Sequence, residues 1–500
     1  MKRIIARFIV IMPALLLQVL WFFLLMTFYT SHAVAIGVIF GILSVTFVLN
    51  IVVRSDEPTY KVFWLIIIAL LPVIGTWAYM TLGNKRTVRP IKKSIDKSSQ
   101  KIVFNHNTDE AIINELKQGE KRYFQILNNI RNWYKFPLKR LENIKYYPLG
   151  DVMLEDMKEE LRKAEKFIYL EYFIIANGKF WDDITEILKE KASTGVDVRV
   201  MYDDIGSITT YGFKDIQKIS KFGIKCIAFN RLMFITGSLN NRDHRKMMII
   251  DGRVVFSGGI NIADEYINEY DKYGHWKDIG FKLTGEPVEN YTYMFVEFWN
   301  AFSKDKIDSV NKNLVKNQTN NGYVLSYYDS PSNTDSISNN FYIELLETSV
   351  DYMYFYTPYL ILGDDLLKAI KRTARRGVDV RIVMPGIPDK KIVFRLGKSY
   401  YKELMDAGVK IYEYTPGFVH AKATITDDKI CTIGTVNLDY RSLFLHFENN
   451  SIFYGSDVIK DLKEDYLSTL KKCTKMEKIE KRKTMQRFID ALLRLISPLL

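Results

Sequence analysis

Hydrophobic residues are distributed unevenly along the chain, and the N-terminal part differs from the rest. Residues 8–29, 33–53 and 62–82 contain no charged side chain and have 22, 21 and 21 residues. Each run is long enough for a helix to cross a bilayer core of about 30 Å. The pattern predicts a membrane-spanning region over residues 1–83. A cleaved signal peptide is the alternative for the first run, but signal peptides have shorter apolar cores.

The orientation of this region is not fixed by the charges that flank it. Basic residues precede the first run, within residues 2–7, and follow the third, within residues 85–97. Both groups favour the inner side of a membrane, and three complete crossings cannot satisfy both. Either the N-terminus lies outside or one segment does not cross, and Pro72 and Gly75 could break the third run. We expect the region beyond these runs to lie on the cytoplasmic side.

Beyond residue 83 the pattern becomes that of a globular protein, and it is repeated. Residues 84–135 are polar and weakly periodic, and they predict a basic juxtamembrane linker. Each half that follows contains a strand, a helix and a second strand whose segment begins Gly-Val-Asp-Val-Arg. These elements are residues 167–173, 180–192 and 195–200 in the first half, and 352–356, 364–376 and 377–382 in the second. This order predicts an α/β fold with sheets covered by helices.

The repeat also divides the chain into domains. We place a first lobe at residues 136–325 and a second, pseudo-symmetric lobe at residues 326–470. Residues 316–340, around the junction, are rich in Asn, Ser and Asp. In the tail, residues 471–500, a basic stretch leads into apolar residues at helical spacing, which predicts an amphipathic helix in a membrane interface. The alternative is a helix packed on the protein's own core.

The net charge indicates the kind of partner, and the cysteine content indicates whether disulfides or a zinc site are expected. The chain has 70 Lys and Arg against 58 Asp and Glu, a formal charge of +12. This charge suits a polyanion or an anionic lipid surface. The three cysteines, Cys226, Cys431 and Cys473, are odd in number and widely spaced. They predict neither a disulfide framework nor a zinc site.

One short pattern, His-x-Lys-x-x-x-x-Asp, occurs twice. Both copies are followed by Gly and Asn at the same distances, 14 and 17 residues past the His. The matched residues are His244, Lys246, Asp251, Gly258 and Asn261, and then His420, Lys422, Asp427, Gly434 and Asn437. The chain has only 6 His in 500 residues, so a chance double match is improbable. Two copies of His, Lys and Asn predict one phosphate site built from two halves.

These residue types suit transfer of a phosphoryl-type group. Residues i and i+2 of a strand face the same way, so the His and Lys of each copy project together. One neutral imidazole can attack phosphorus while the other, protonated, donates to the leaving alkoxide. Lys246, Lys422, Asn261 and Asn437 can hold the phosphoryl oxygens. No carboxylate cluster suits Mg²⁺, so we expect neither a metal nor a cofactor.

Supporting roles follow from the spacing of the acidic residues. Asp251 and Asp427 belong to the motif's catalytic set, but each lies 7 residues past its His, beside a turn signal. We expect them to act in the turn or to support the site rather than to contact substrate. Asp278 and Glu448 are candidates to orient the motif histidines. The remaining histidines, His32, His106, His275 and His446, are expected to take no part in catalysis.

The motif residues resemble those of the phospholipase D superfamily, whose hallmark is two such motifs. More narrowly, the flanking strings resemble the bacterial cardiolipin synthase family. These strings are residues 70–75, 257–266, 356–359, 437–442 and 497–500. The resemblance covers nearly the whole chain. The three apolar runs depart from it, since many members of the family have two.

The resemblance implies two phospholipase D-like lobes and a specific reaction. A phosphatidyl group would pass from one phosphatidylglycerol to another and give cardiolipin and glycerol. His244, in the first motif, would be the nucleophile that forms a phosphatidyl-histidine, and His420 the acid–base group. The partners implied are phosphatidylglycerol, other anionic phospholipids and the bacterial plasma membrane, with no nucleic acid. A hydrolase of membrane phospholipids and a non-catalytic lipid-binding scaffold stay open as alternatives, and the oligomeric state is not predicted.

Overall fold

Two β-sheets with helices on their faces form the globular part of the protein. The computed structural model describes residues 31–54, 56–83, 89–102, 104, 106–231, 240–308, 322–333, 335–477 and 484–499. The first predicted membrane run, residues 8–29, lies outside them. The observed architecture is α/β, as the sequence predicts.

Nineteen strands lie in the described part of the chain. They are β1 Leu138–Arg140, β2 Asn143–Tyr147, β3 Phe167–Tyr172, β4 Asp197–Asp203, β5 Lys225–Phe229, β6 Arg242–Asp243, β7 Met247–Ile250, β8 Val254–Gly258, β9 His275–Lys277, β10 Gly280–Thr284, β11 Tyr323–Asp329, β12 Tyr352–Tyr356, β13 Asp379–Pro385, β14 Lys410–Tyr414, β15 Gly417–Val419, β16 Ala423–Thr426, β17 Ile430–Gly434, β18 His446–Tyr454 and β19 Cys473–Lys475.

The same residues contain sixteen α-helices. They are α1 Ser31–Val53, α2 Pro58–Leu70, α3 Pro72–Ala78, α4 Arg89–Ser99, α5 Glu110–Gln118, α6 Lys121–Tyr134, α7 Gly150–Arg162, α8 Lys179–Ser193, α9 Phe213–Ser220, α10 Val288–Phe302, α11 Ile337–Thr348, α12 Asp364–Arg375, α13 Lys391–Met405, α14 Tyr440–Phe444, α15 Val458–Leu470 and α16 Thr484–Leu495.

The two sheets share one strand order. The first runs β2-β10-β8-β7-β3-β4-β5. The second contains β11-β18-β17-β16-β12-β13-β14, extended by β1 at one edge and β19 at the other. In both, the last three strands of this order are parallel and the others antiparallel. Matching strands therefore present the two sequence motifs in equivalent positions.

The repeated Gly-Val-Asp-Val-Arg string has a clear structural basis. Gly195 and Gly377 follow the ends of α8 and α12 and have φ of +93° and +95°. Glycine adopts this left-handed conformation without steric cost, which is why it often ends helices. The Val residues that follow are buried, with Val196 and Val378 just before β4 and β13 and with Val198 and Val380 within them. The string thus combines a helix stop with the start of a core strand.

Residues 84–135 differ from the predicted linker, because three helices form there. Ser98 at the end of α4 donates a hydrogen bond of 2.7 Å to the carbonyl of Glu297 in α10. In α6, Tyr123, Ile126, Leu127 and Ile130 are buried at helical spacing in the core of the second lobe. These positions follow the spacing i, i+3, i+4, i+7 of an amphipathic helix, so the sequence does contain a signal for α6.

The remaining apolar runs also differ in part from the prediction. The second run coincides with α1, but the third is divided into α2, α3 and a π-helical turn, Tyr79–Gly83. Pro72 causes the division, because proline cannot supply the backbone N–H that a continuous helix needs. Among the described residues, we find no helix that combines the length and the apolar character required to span a bilayer.

Helix α2 is docked on the second lobe. The Glu57 carboxylate accepts hydrogen bonds from the backbone N–H of Thr59, at 2.8 Å, and of Asp364, at 3.1 Å. It therefore caps α2 and also binds the first residue of α12. The Tyr60 ring stacks on Tyr440 in α14, with centroids 5.6 Å apart. These contacts bring the N-terminal helices close to the residues that follow the second motif.

The C-terminal helix α16 packs on the protein and also exposes an apolar face. Arg494 donates to the Ser399 side chain and carbonyl in α13, at 3.0 and 2.6 Å. Asp490 is buried and accepts from Arg395 at 3.2 Å. On the other face, Phe488 and Leu492 are 59% and 47% exposed. Within the described residues, the helix thus contacts the globular part on one side.

Candidate active site

Each lobe anchors the motif histidine of the other. The short strand β6 pairs in parallel with the start of β18, and β9 pairs with β15. The backbone N–H of His244 donates to the Phe447 carbonyl at 2.8 Å, and that of His420 donates to the Lys277 carbonyl at 2.7 Å. The two crossings are related by the same pseudo-symmetry as the lobes. They bring two motifs that lie 176 positions apart in the chain to one lobe interface.

The orienting carboxylates are also exchanged between the lobes. His244 Nδ1 lies 2.8 Å from an oxygen of Glu448, and His420 Nδ1 lies 2.6 Å from an oxygen of Asp278. A carboxylate that accepts from Nδ1–H fixes the tautomer and leaves the Nε2 lone pair for chemistry. The sequence predicts both acidic residues, and the structure shows that each serves the histidine of the opposite motif.

The charges of the two motifs influence one another, as they would in one shared site. Burial lowers the pKa of His244 well below its usual value, and Lys246, Lys422 and His420 add to the effect. Burial, followed by the nearby Lys422, lowers the pKa of His420 to about 3. Both rings are therefore neutral near pH 7 in the absence of an anion, so either can act as a nucleophile or base.

The two lysines have lowered pKa values for the same reason. Burial lowers the pKa of Lys246 to about 8 and that of Lys422 to about 7. Each ammonium donates to the carbonyl of its own motif histidine. Lys422 Nζ also lies 2.7 Å from His420 Nδ1, but an ammonium cannot donate to a nitrogen whose hydrogen is directed at Asp278, so this is a close contact and not a second hydrogen bond. A bound phosphate would favour the protonated form of both lysines, because an adjacent opposite charge offsets the cost of burial.

Glu448 and Asp278 differ in how easily they ionise. Burial raises the pKa of Glu448 well above its usual value, against the opposing effects of Lys246, Ser442 and Thr435. Burial also opposes ionisation of Asp278, but His420 and Lys422 outweigh it and lower its pKa. The site is symmetric in outline and asymmetric in its electrostatics.

Three residues that the sequence analysis missed hold the site together. Thr435 and Ser442 donate to the two oxygens of Glu448 at 2.5 and 2.6 Å, and Asn449 Oδ1 accepts from the backbone N–H of Lys246 at 3.0 Å. A repeated offset could have indicated Ser442. Ser442 lies 5 residues past Asn437 and contacts it. In the first half, Tyr266 lies 5 residues past Asn261 and contacts it in turn.

The two motif asparagines are placed differently. The Asn261 side chain accepts from the Ile174 backbone N–H at 3.0 Å and donates to the Tyr266 hydroxyl at 2.7 Å. Asn437 Oδ1 is buried and has no hydrogen-bond partner in the described part of the chain. An amide oxygen and a phosphoryl oxygen both accept, so this oxygen cannot hold the phosphate, and a contact with the phosphate would have to come from the Asn437 side-chain N–H. Asn261 supports the loop beside β3.

The motif aspartates lie away from the rings and fix the backbone. The Asp251 carboxylate accepts from the N–H groups of residues 165–167 at 2.8–2.9 Å. Asp427 binds the N–H groups of residues 350–352 at 2.9–3.0 Å and the Tyr123 hydroxyl at 3.0 Å. These contacts do not support the grouping of the two aspartates with the catalytic residues. They agree with the expectation, drawn from the spacing, that both aspartates act in the turn.

One group of possible metal ligands lies in the site, among the residues that the structure describes. It consists of His244, His446 and Glu448, whose ligand atoms lie within 4.8 Å of one another. Lys246 faces these atoms, and Arg441 Nε lies 3.5 Å from His446 Nε2. These positive groups oppose a cation and suit an anion.

Comparison with protein families gives two matches. The model described as "Cardiolipin synthase, PLD-like domain" matches residues 157–272 and 342–470, which contain both motifs. The model "Phospholipase_D-nuclease N-terminal" matches residues 38–84. The matched segments include both motif histidines and Glu448, and Asp278 lies 6 residues beyond the end of the first segment.

Similar proteins span nearly the whole chain. A cardiolipin synthase of Halalkalibacterium halodurans is 31% identical over 503 residues, covering 97% of this chain and 99% of its own. An uncharacterised protein of Streptococcus mutans is 41% identical over 454 residues, covering 90% of this chain and 98% of its own. The crystal structure of a phosphatidylserine synthase of Haemophilus influenzae has a TM-score of 0.57 at 16% identity, covering 76% of this chain and all of that one. The last likeness concerns the fold alone.

Proposed function

This chain belongs to the cardiolipin synthase family of phospholipase D-like proteins, and we propose that it joins two phosphatidylglycerol molecules to give cardiolipin and glycerol. The observation that carries the proposal is the crossed pair of imidazole–carboxylate contacts, His244 with Glu448 and His420 with Asp278. Two oriented rings and two lysines form a site for one phosphodiester. Relatives named as cardiolipin synthases support cardiolipin as the product.

The reaction proceeds in two displacements at phosphorus. His244 Nε2 attacks the phosphorus of the first phosphatidylglycerol and forms an N–P bond as the bond to the glycerol oxygen breaks. Binding of the phosphodiester anion raises the pKa of His420, so that this ring takes up a proton. The protonated His420 then gives that proton to the leaving oxygen. The negative Glu448 stabilises the positive charge that develops on the His244 ring, and Lys246 and Lys422 bind the phosphoryl oxygens.

The second displacement regenerates the enzyme. His420, now neutral, takes the proton from a headgroup hydroxyl of the second phosphatidylglycerol. That oxygen attacks phosphorus, the N–P bond breaks and cardiolipin leaves. Both rings then return to their starting protonation states. The roles of the two histidines follow the assignment that the family resemblance implies.

The competing enzyme activity is hydrolysis, in which water attacks the same phosphatidyl-histidine. It would use every residue named above and differ only in the acceptor. Transfer to a lipid alcohol is favoured because α2 contacts α14, close to Asn437, and α16 adds an apolar face. An enzyme held at a membrane meets headgroup hydroxyls at high local concentration. We propose a multi-pass protein of the bacterial plasma membrane with the lobes on the cytoplasmic side.

Mass spectrometry of lipids after incubation with the purified enzyme tests the proposal. The protein in vesicles of isotope-labelled phosphatidylglycerol, without added metal, should yield cardiolipin and glycerol in equal amounts. Phosphatidic acid without cardiolipin would show a hydrolase, and no turnover would favour a scaffold. His244→Ala and His420→Ala should each abolish turnover and leave the melting temperature within a few degrees of the unmodified protein.

The histidine assignment needs a separate experiment. The reaction is stopped at alkaline pH, where phosphoramidates survive, and peptides are examined for a phosphatidyl adduct. We expect the adduct on the peptide that contains His244 in the unmodified protein and none in His244→Ala. An adduct on the His420 peptide instead would reverse the two roles without affecting the overall reaction.

A further inference from the structure

The sequence predicts no catalytic role for His446, but the structure places it beside the nucleophile. It is the first residue of β18 and pairs with Arg242, two residues before His244. The rings of His446 and His244 have centroids 5.7 Å apart. The His446 side chain is 13% exposed. It therefore lies in the wall of the site and not in an unrelated part of the core.

The hydrogen-bond partners of His446 define its neutral tautomer. Arg441 Nε lies 3.5 Å from His446 Nε2, and a guanidinium can only donate. Nε2 must then accept, so the proton of the neutral ring is on Nδ1. Nδ1 lies 3.6 Å from an oxygen of Glu448 and has no hydrogen-bond partner in the described part of the chain. This separation is too long for a hydrogen bond, but such contacts often tighten when substrate binds.

The equivalent position in the other half is occupied by Trp276. It pairs with Phe418, two residues before His420, and its ring centroid is 5.6 Å from that of His420. The fold thus puts an aromatic ring beside each motif histidine at nearly the same distance. The Trp276 indole nitrogen is buried without a hydrogen-bond partner among the described residues. On the other side, His446 Nδ1 lies 3.6 Å from an oxygen of the orienting carboxylate Glu448.

Glu448 has the greater need for such a donor. It is completely buried, and its pKa is raised by that burial, whereas His420 and Lys422 lower the pKa of Asp278. If Glu448 were protonated, it would donate to Nδ1 of His244. The ring proton would then be on Nε2, where it would block attack on phosphorus.

We propose that His446 is a positioning residue that donates Nδ1–H to Glu448 during the reaction and so holds His244 in the tautomer with a free Nε2 lone pair. This donor breaks the symmetry of the site, because the other half has a tryptophan in its place. It thereby selects His244 over His420 as the nucleophile. The kinetic test of this inference rests on the proposed function, because it measures lipid turnover. A second test, by chemical modification of His244, does not.

The groups that face His446 keep it neutral, so Nε2 can accept from Arg441 while Nδ1–H is directed at Glu448. They are Glu448, the neutral His244 and four positive side chains. The positive side chains are Arg441, Arg242, Lys390 and Lys246. Burial and these charges lower the pKa of His446 well below its usual value. His446 therefore does not titrate near pH 7, and any pH dependence that it confers acts through Glu448.

Two substitutions separate donation from packing. His446→Phe keeps the ring volume and removes the donor, and we expect kcat to fall about 10- to 100-fold while KM changes less than 3-fold. Without the donor the pKa of Glu448 rises further, so the acid limb of the kcat profile shifts to higher pH. His446→Asn keeps an N–H near the Nδ1 position and should restore kcat to within about 5-fold, with the acid limb in its original place.

Trp276→Phe is the matched control, because it alters the equivalent ring beside His420. Its acid limb should not move. Unchanged kcat and pH profile in His446→Phe would overturn the proposal. So would an equal fall in the Phe and Asn variants with no shift of the acid limb, since that result indicates packing alone. If the Phe variant does not fold, His446→Met removes the donor in the same way.

A chemical test does not depend on lipid turnover. Diethylpyrocarbonate acylates an imidazole nitrogen that carries a lone pair, and peptide mass spectrometry reports the rate at His244. We expect His446→Phe to slow this reaction several-fold at pH 6–7 and His446→Asn to leave it near the original rate. Equal rates in all three proteins would contradict the proposal even if the enzyme is active. Slowing in the Phe variant of a protein without lipid turnover would refute the proposed function and leave this inference standing.

Discussion

At the scale of single residues, each lobe supplies one buried carboxylate that contacts the motif histidine of the other lobe. Glu448 and Asp278 accept from Nδ1 of His244 and His420 and have no exposed surface. A side-chain amide in either place could donate to Nδ1 and select the opposite tautomer. The geometry would survive while the reactive lone pair would be lost, as happens when the carboxylate of a hydrolase triad is replaced.

We therefore expect Glu448→Gln and Asp278→Asn each to lower kcat by about 10²- to 10⁴-fold. The folded state should persist, because the substitutions conserve shape and remove a buried charge. Steady-state kinetics with phosphatidylglycerol and a thermal melt of each variant provide the measurements. Ser332→Ala, at a partly exposed serine bonded to Ser330, is a control for substitution of a polar side chain elsewhere. Retention of more than a tenth of the original turnover in either carboxylate variant would contradict the assigned role.

Binding of a phosphodiester should weaken as pH rises, because Lys422 and Lys246 have pKa values of about 7 and about 8. Below pH 7 both ammonium groups are charged and attract the anion; above pH 8 the free site has lost most of that charge. Binding at pH 8 must then be accompanied by proton uptake.

Titration calorimetry with glycerophosphoglycerol, whose charge is constant over this range, tests this prediction. The Kd should rise about 10-fold or more from pH 6.5 to pH 9, and the heat at pH 8 should depend on the ionisation enthalpy of the buffer. Lys422→Met should bind more weakly and take up fewer protons. A Kd independent of pH would show that the lysines stay charged without the anion.

At the scale of secondary structure, the motif is a β-hairpin whose aspartate holds the start of a neighbouring strand. Asp251 and Asp427 have φ of +53° and +49°, a conformation that Asp tolerates better than most residues. Each carboxylate binds three consecutive backbone N–H groups before β3 or β12. In the proposed mechanism the first residue of the motif, His, takes part in the reaction. The last residue, Asp, stabilises the fold.

Asp251→Ala and Asp427→Ala should accordingly lower stability more than chemistry. Loss of a charged acceptor for buried N–H groups costs roughly 2–4 kcal/mol in unfolding free energy. The loss should be larger at Asp427, which also binds Tyr123. Denaturant unfolding gives the stability, and turnover per folded molecule should stay within about 5-fold of the original. Asp428→Ala, at the exposed neighbour, is the matched control. A hundred-fold loss of turnover in a stable Asp251 variant would restore the catalytic role.

The sequence predicts an element when its signal lies within that element, and it does not predict contacts between residues that are far apart in the chain. The β3, β4, β12 and β13 strands and the glycine stops are visible because their signals are local. Helices α4 and α5 are missed because few apolar residues, such as Ile112 and Leu116, carry their periodicity among many charges. Helix α6 does have apolar residues at helical spacing, a signal that the sequence analysis missed. The exchange of Glu448 and Asp278 cannot be derived from spacing, because it depends on how two lobes dock.

At the scale of the whole molecule, the N-terminal helices, the second lobe and the C-terminal helix form one continuous assembly. Helix α16 contacts α13 through Arg494 and packs near α2. Apolar side chains are exposed on both, among them Leu70 at 72% and Phe488 at 59%. The sequence leaves open whether the tail packs on the protein or lies in a membrane interface. The structure shows one face of α16 packed on α13 and leaves an apolar face exposed.

We expect the outer face of α16 to contact lipid when the protein is in a membrane. A diazirine-bearing phospholipid in vesicles of phosphatidylglycerol should label peptides covering residues 484–495 several-fold more than peptides around Phe222 and Val350, which are exposed apolar residues of the two lobes. Phe488→Glu combined with Leu492→Glu should reduce this label and leave the melting temperature unchanged, since neither side chain is buried. Placing a charged side chain in the hydrocarbon part of a bilayer is unfavourable in free energy, so we expect the substituted face to leave the bilayer. Equal labelling of all three regions in the unmodified protein would mean that α16 faces water, and membrane contact would then be confined to the N-terminal helices.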